Sequence, residues 1–585
     1  MKNEFIEYLN SMNNADGDSM NALAESQVTN KYYHYIRVNR KLGDFITEKL
    51  KKNKKHCYIM TGHAGDGKTS ILIQTLKELN MLEEGEKLEK SAMKSKDGIE
   101  LFYVKDMSEL TSDNQERLLN KCLNMPKQNK SSILISNTGP LIRVFKKLSS
   151  KDKEEEIEDI LLKQLDDNKC SEIEIEGYKF YLINIARIEN IGIVRGLFNN
   201  ICSEDLWNKC IECNSREKCP IYFNKQCVDS NKDRVIEFIE MYYRWLGEND
   251  KKITVRQMIS QISFSFTANL SCEAISKFEK NNYNLFKYNF ANLFFGYRGI
   301  AKIEECSQIK PIYMIQNLKL DNIALEEDYN LFVKEDFEYF DIEITKMLKD
   351  ILKKFDRSIS FEENDGIDSN DIIVKRRKMR KAIRRFFLVY GKNDNKDRQE
   401  IYDTLYGKGF MTYIEATKNH LSNSNLRKIS KQIFEALYIK NIGLPCKEKE
   451  KNLYLTLRRD DEAFQGALLL LAKIDKDELK VKQVKRNIEI EDIKEAFSIE
   501  LEIKSEKFKI SLPLFLYFNS IVNGKISTKV NSSLSHGLTE LNTLLLKCFR
   551  TKNNENGNEF SIIVNTTSGI EQINLEISDE KIYFE

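Results

Sequence analysis

The chain has little proline and little histidine. Only 6 of its 585 residues are proline and only 5 are histidine. Because proline interrupts helices and central strands, its scarcity suits a helix-rich globular protein. The histidines are not grouped with the spacing of metal ligands, which argues against a nuclease centre built on histidine and a metal ion.

Long apolar runs are missing as well. No uninterrupted apolar stretch is long enough to cross a bilayer, and the first residues, "MKNEFIEYLN", lack an apolar core of signal-peptide length. We therefore expect a cytoplasmic protein that makes no contact with a membrane.

A net charge is nearly absent too. The 92 Lys and Arg residues are balanced by 90 Asp and Glu residues, which leaves a formal charge of +2. The total charge therefore indicates no class of partner, and any contact with nucleic acid has to come from a local patch.

The length of 585 residues exceeds what one hydrophobic core supports. The predicted organisation is an N-terminal helical segment (1–50), an α/β domain (51–265) with a cysteine-rich insert at about 200–230, a helical domain (266–445) and an α+β C-terminal domain (446–585).

The stretch "CYIMTGHAGDGKTSILIQTLKEL" (57–79) carries the clearest chemical signal. Gly62, Gly67, Lys68 and Thr69 fit the pattern G-x-x-x-x-G-K-[ST], between a run with strand character and a run with helical spacing. Such glycines let backbone amides point inward as an anion-binding nest, and the N-terminus of the helix adds a positive dipole end. The alternative is an ordinary glycine-rich turn between a strand and a helix.

We therefore predict a nucleotide-binding P-loop for ATP and Mg²⁺. Lys68 would reach the β- and γ-phosphates, and the Thr69 hydroxyl would ligate Mg²⁺. The residues predicted to contact the nucleotide are Gly62, Ala64, Gly65, Asp66, Gly67, Lys68, Thr69 and Ser70.

Three more residues are candidates for catalysis. Asp106 follows the strand-like run 101–104 and is predicted to complete the Mg²⁺ shell, since ligands of parallel sheets lie at strand ends. Asn137 follows a second buried run and would hold the attacking water like a sensor-1 residue of AAA+-type ATPases. Arg256 lies near the start of a predicted helix and would sense the γ-phosphate. A solvated surface acid, a plain turn and a surface cation are the respective alternatives.

The pattern of strands alternating with helices predicts a mostly parallel sheet covered on both faces. The predicted fold class is thus an α/β P-loop NTPase core, AAA+-like, with added helical domains and a small α+β C-terminal domain.

Twelve cysteines are present, and five of them cluster in one polar segment at 202–227. In a reducing compartment such a cluster favours a metal site over a disulfide framework. The predicted ligands are Cys202, Cys210, Cys213, Cys219 and Cys227. The central spacing C-x₂-C-x₅-C-P suits zinc, with an iron–sulfur cluster as the alternative, and which four of the five thiolates bind is left open. Buried thiols without a metal are the third interpretation.

Several segments together resemble a known family, the DptF-type ATPases of bacterial DNA phosphorothioation-dependent restriction. The resemblance rests on "GDGKT", on "ILISNTGPL" followed by "FYLINIARIEN", on "CIECNSREKCPIYFN", on "ITVRQMISQI" and on "YNFANLFFGYRGI", within roughly the first 300 residues. It implies an ATPase component of an anti-phage defence complex that targets DNA and works beside other subunits. Homo-oligomerisation stays open.

The second half carries one basic stretch, the predicted helix 371–391, with eight Lys or Arg between Lys375 and Arg385. Met379, Ile383, Phe386 and Tyr390 are spaced to face a core. Arg376, Arg380 and Arg384 are spaced i, i+4 and are predicted to bind the phosphates of DNA or RNA. The alternative is a solvated helix, or one paired with the acidic run 360–371 just before it.

After a predicted boundary at 441–452 the sequence becomes mixed. "LYLTLRRDD" is predicted as a strand, "EAFQGALLLLAKI" as a helix, and the C-terminal "EFSIIVNTTSGIEQINLEISDEKIYFE" as alternating strands.

Overall fold

The structure is a computed structural model. It describes residues 2–13, 29–52, 55–88, 91–148, 151–167, 170–392, 395–447, 449–457, 467–493, 495–525, 532–550, 559–566, 569–578 and 581–584. The chain divides into two compact units. The first comprises Met1–Arg244, Ile253–Asp394 and Ile488–Ile493, and the second comprises Trp245–Lys252, Asn395–Asn487 and Lys494–Glu585. This division cuts the chain differently from the four predicted segments, which stay a prediction.

The described helices are α1 (Glu4–Ser11), α2 (Tyr33–Ile36), α3 (Lys41–Lys51), α4 (Lys68–Glu78), α5 (Ser112–Asn124), α6 (Thr138–Leu148), α7 (Glu154–Asp167), α8 (Ile193–Ile201), α9 (Asn208–Ile211), α10 (Pro220–Ser230), α11 (Lys232–Glu248), α12 (Val255–Thr267), α13 (Cys272–Ser276), α14 (Asn282–Lys287), α15 (Phe290–Phe294), α16 (Lys310–Leu318), α17 (Asp328–Phe332), α18 (Ile342–Asn364), α19 (Ser369–Tyr390), α20 (Asn395–Tyr406), α21 (Phe410–Lys418), α22 (Asn423–Ile442), α23 (Leu512–Val522) and α24 (Ser532–Phe549).

The described strands are β1 (Cys57–Thr61), β2 (Ala92–Lys94), β3 (Glu100–Val104), β4 (Ser131–Ile135), β5 (Glu172–Ile175), β6 (Tyr178–Asn184), β7 (Tyr297–Arg298), β8 (Ala301–Lys302), β9 (Asn452–Leu457), β10 (Ala467–Asp475), β11 (Leu479–Lys485), β12 (Phe497–Ile503), β13 (Glu506–Lys509), β14 (Glu559–Thr566), β15 (Gly569–Ser578) and β16 (Lys581–Phe584).

A six-stranded sheet forms the centre of the first unit, in the order β2-β3-β4-β1-β6-β5. The four inner strands run parallel, and the two edge strands, β2 and β5, are antiparallel to their neighbours. The predicted α/β architecture with a mostly parallel sheet is thereby confirmed.

Strand β1 shows why both faces of this sheet are covered. All five of its residues are buried, and successive side chains point to opposite faces. Tyr58 and Met60 belong to a core built with α3 and α4, whereas Cys57 and Ile59 belong to a core built with α5, α6 and α7. The sheet therefore lies as the middle of three layers.

The rest of the first unit is mainly helical, as predicted from the periodicity after residue 266, with the short hairpin β7–β8 as an exception. Helix α19 packs its apolar side inward. Met379, Ile383, Phe386 and Tyr390 are all buried, which confirms their predicted place in a core. None of the described helices is both long and apolar enough to cross a membrane.

The second unit contains a five-stranded antiparallel sheet (β16-β15-β14-β10-β9) and a three-stranded one (β11-β12-β13), with helices. The predicted C-terminal strands are confirmed as β14, β15 and β16. The helix predicted for "EAFQGALLLLAKI" is wrong where the structure describes it, because 467–475 forms β10. Its alternating burial follows from pairing with β9 and β14, which a local apolar run does not reveal.

Arg385 of α19 forms a buried ion pair that we expect to contribute to the stability of the helical part. Its guanidinium, 1% exposed, donates to Asp321 Oδ2 at 2.6 Å, to Asn292 Oδ1 at 2.9 Å and to Gly299 O at 2.7 Å. Arg385→Met leaves the buried Asp321 carboxylate unpaired, so we expect a destabilisation of about 3–5 kcal/mol. Thermal unfolding followed by circular dichroism measures it.

Arg376→Met on the same helix is the matched control. Arg376 pairs with Glu363 at 2.9 Å, and both side chains are about half exposed (50% and 48%), so we expect little change in the unfolding temperature. Equal shifts in the two variants would contradict the account.

Candidate functional site

The carboxyl ends of the parallel strands lie level with one another. Thr61, the last residue of β1, pairs with Asn184 of β6. On the other side the amide of Ser136, just after β4, donates to Met60 O at 3.1 Å. The residues that follow β1, β3, β4 and β6 consequently meet at one edge of the sheet, where ligands of such sheets bind.

The loop 62–67 joins β1 to α4 at this edge. Gly62, Gly65 and Gly67 all have positive φ angles, and Gly67 (φ 91°) is the left-handed residue from which α4 starts. Asp66 braces the loop from inside: it is 2% exposed, and its Oδ2 accepts a hydrogen bond from the His63 amide at 2.8 Å. The first amides of α4 have no partner within the helix and add their positive dipole end to this turn.

Helix α12 is fastened to the loop at Gly65. The Arg256 amide donates to Gly65 O at 3.2 Å. Thr254 caps the same helix in a reciprocal capping box with Gln257. A Cβ on Gly65 would lie 3.0 Å from Arg256 Cβ and 3.1 Å from Thr254 Oγ1, so only glycine fits this contact without displacement.

Lys68 bends back over its own loop. Its Nζ donates to Gly62 O at 2.7 Å and to His63 O at 3.0 Å, and it lies 3.4 Å from Asn137 Oδ1. Burial lowers the pKa of Lys68, while the charges of Asp106 and Asp66 act in the opposite direction. The ammonium group is thus largely withdrawn from water and held against carbonyl oxygens of the loop.

Asp106 and Asn137 are linked through Ser108. The Ser108 amide donates to Asp106 Oδ1 at 2.8 Å, and the Asn137 amide donates to Ser108 Oγ at 2.7 Å. These bonds fix the residues after β3 and β4 relative to each other. The structure therefore brings Lys68, Asp106 and Asn137 together, as the sequence predicts.

A cavity of about 840 Å³ opens over the loop, within the size range of ligand pockets. Two carboxylates, Asp106 and Glu109, line it together with a larger set of cations. The lining cations are Arg37, Arg40, Lys68, Lys105, Arg117, Lys121 and Arg256. This excess of positive charge favours an anionic ligand.

Of the predicted nucleotide contacts, Ala64, Gly65, Gly67, Lys68, Thr69 and Ser70 line this cavity. Gly62 and Asp66 instead support the loop from within, since a Cβ on Gly62 would lie 3.1 Å from Asp66 Oδ2. Arg256 also lines the cavity, and burial lowers its pKa.

Two further arginines of the cavity were missed by the sequence analysis. Arg40 is 4% exposed and donates from Nη2 to Asn190 Oδ1 at 3.1 Å and from Nε to Asp492. The buried Nη1 of Arg37 has no hydrogen-bond partner within the described residues. No local motif marks either arginine, because their position depends on segments distant in the sequence.

Comparisons with family models, curated proteins and solved structures found no match.

The five clustered cysteines do not all lie in one place. Burial raises the pKa of both Cys210 and Cys219, and neighbouring thiols contribute to the rise, Cys213 at Cys210 and Cys210 at Cys219. The surroundings of Cys202 are Asp229 and two lysines, and burial raises its pKa to about 12. In the part of the chain that the structure describes, no three metal-ligating side chains already form a coordination shell.

The phosphate-gripping face predicted for α19 needs correction. Arg384 points inward and donates to Asp328 Oδ2 at 2.6 Å, and Arg376 pairs with Glu363. Lys375 pairs with Glu362 at 2.5 Å. The acidic run before the helix thus supplies two of the partners, and Arg377, Lys378 and Arg380 stay exposed.

Gly65 and Gly85 separate the effect of packing from that of backbone strain. Both have positive φ (89° and 80°), but a Cβ on Gly85 would meet nothing within 4 Å. Alanine costs each site about 1 kcal/mol of backbone strain, whereas Gly65→Ala also collides with Arg256 and should cost about 1–3 kcal/mol more. Thermal unfolding of the two variants checks this. Equal destabilisation by Gly65→Ala and Gly85→Ala would show that the loop and α12 are not tightly packed at Gly65.

Proposed function

We propose that the protein is a P-loop ATPase with an AAA+-like core, which binds ATP with Mg²⁺ and hydrolyses it. The observation that carries the proposal is the position of Lys68. Its ammonium group is held against loop carbonyls, at the start of a helix and inside a cavity rich in cations. At such a position backbone amides and a positive charge together stabilise the negative charge of a chain of phosphates.

In this proposal the phosphates take the amides of the loop and of the first turn of α4. Lys68 exchanges its bonds to two carbonyl oxygens for charge-assisted bonds to phosphate oxygens, which are stronger. Thr69 and Asp106 would hold Mg²⁺, which neutralises charge on the phosphates.

Hydrolysis needs a positioned water and a cation near the γ-phosphate. Asn137 is suited to the first task, since its backbone is tied to Ser108 and its Oδ1 lies 3.4 Å from Lys68 Nζ. Arg256 is suited to the second, since its backbone amide is bonded to the loop and its guanidinium stays charged. Arg37 and Arg40 add charge that the resemblance did not imply.

The strand order supports the AAA+-like assignment. β4, which Asn137 follows, lies between the loop strand β1 and the strand β3 that leads to Asp106. The chain then crosses β1 to reach β6 on its other side, so the loop lies where the direction of winding reverses. Apolar side chains of the cavity would receive the base, and they are Ile36, Val38, Ile193, Leu197 and Ile259.

We further propose, on the resemblance to DptF-type ATPases, that this activity serves a defence complex that targets DNA and contains other subunits. The exposed cations Arg377, Lys378 and Arg380 of α19 are the proposed DNA contact. They replace the predicted stripe that included Arg384.

Lys68→Ala tests the ATPase proposal. Removal of the buried ammonium should lower ATP turnover by at least about 100-fold. Phosphate release by purified protein, alone and with DNA, measures the turnover. Lys87→Ala, an exposed lysine of the following loop, is the control and should keep full activity.

The outcome also separates hydrolysis from a second function. Tight ATP binding by the unaltered protein without turnover in any of these conditions would contradict the ATPase. It would leave a nucleotide-gated assembly switch as the function of the site.

The DNA contact has a separate test. Replacing Arg377, Lys378 and Arg380 together by alanine should weaken binding to a labelled duplex and lower the slope of log K against log salt by about 2.7. Fluorescence anisotropy at several salt concentrations measures both. Lys375→Ala, whose side chain is already paired with Glu362, should change the slope much less. An unchanged slope in the triple variant would place any DNA contact elsewhere.

A further inference from the structure

A sixth cysteine, outside the predicted cluster, lies beside part of it. Cys272 is the first residue of α13, and it lies close enough to Cys210 and Cys219 to contribute, after burial, to the raised pKa of both thiols. Both Cys272 and Cys213 are half-buried. Cys210, Cys213, Cys219 and Cys272 therefore lie on neighbouring segments, although the described side chains do not already form a coordination shell.

Polar contacts hold the two segments together. Lys218 Nζ donates to Ser276 O and to Phe278 O, each at 2.7 Å. Glu217 next to it pairs with Lys280. These contacts hold the segment that ends in Cys219 against the segment that begins at Cys272. They do not involve the thiols themselves.

Two of these sulfurs already accept hydrogen bonds. Asn3 Nδ2 donates to Cys210 Sγ at 3.3 Å, and the Tyr222 amide donates to Cys219 Sγ at 3.5 Å. Such N–H···S bonds orient thiolates that bind metals and stabilise their negative charge. The turn at Cys210 is set by the Cys213 amide, which donates to Cys210 O at 3.3 Å.

The other two members of the predicted cluster lie in different surroundings. Cys202 is near Asp229, Lys225 and Lys232. Cys227 is buried in the middle of α10, beside Asn289 and Asp341. Burial raises the pKa of the Cys227 thiol, which suits a neutral core residue.

We propose that Cys210, Cys213, Cys219 and Cys272 bind one thiophilic metal centre, and that Cys202 and Cys227 are structural thiols outside it. Four thiolates with a C-x₂-C pair match a closed tetrahedral zinc site, and the same set can hold an iron–sulfur cluster. The centre would fasten α13 to the segment before α10. Through Asn3, which also donates to Leu206 O at 2.9 Å, it would fasten α1 as well.

Elemental analysis of protein purified without chelator tests the proposal. We expect about one zinc, or about four irons with brown colour, per chain. Cys272→Ser should lose most of this metal, whereas Cys202→Ser and Cys227→Ser should keep it. Metal-free unaltered protein, or metal lost from Cys202→Ser but kept in Cys272→Ser, would overturn the proposal.

Alkylation of the unaltered protein is a second test, which does not require Cys272→Ser to fold. In the metal-bound protein all four thiols should resist iodoacetamide, and addition of a strong chelator should expose the four together while Cys202 and Cys227 stay unchanged. Mass spectrometry of peptides reads this directly. A disulfide between any two of the four, or exposure of Cys272 independent of chelator, would contradict the proposal.

Discussion

The parallel pairing of β1 with β4 and β6 is the constraint on which the candidate site depends. Together with the pairing of β3 and β4 it sets the carboxyl ends of these strands level, so that the loop after β1 and Asp106 after β3 line one cavity. Asn137, after β4, lies 3.4 Å from Lys68 Nζ at the same edge. The strands can hold this register because apolar cores cover both faces of the sheet. The chemistry of the site is therefore a consequence of how the sheet is buried.

The segment Ile488–Ile493 supports the site from outside the sheet. The short segment Ile488–Ile493 returns to the first unit, where Ile490 joins the core and Asp492 accepts hydrogen bonds from Arg40 and from the Lys41 amide. A Cβ on Gly192 would lie 2.3 Å from Asp492 O, which shows how closely this segment is seated. Asp492, 452 residues further along the chain than Arg40, thus orients a cation of the cavity.

Local sequence patterns predicted the parts of the fold that are decided locally. β1, the helix after the glycine loop and the helix that begins near Arg256 follow from local sequence patterns, and the structure has all three. Patterns failed where distant partners decide. β10 is a strand because it pairs with β9 and β14. Arg384 points inward because it pairs with Asp328, which lies 56 residues earlier in the chain. The neighbours of Arg40 and Cys272 also come from segments that are distant in the sequence.

The central claim is that the amides between residues 62 and 70 hold a chain of phosphates. Hydrogen–deuterium exchange with and without saturating ATP and Mg²⁺ tests it most directly, because it reports on those amides themselves. The account predicts slower exchange in peptides that cover this loop and the first turn of α4, and a smaller effect or none with adenosine. Unchanged exchange of the loop at a concentration of ATP that saturates binding would contradict it.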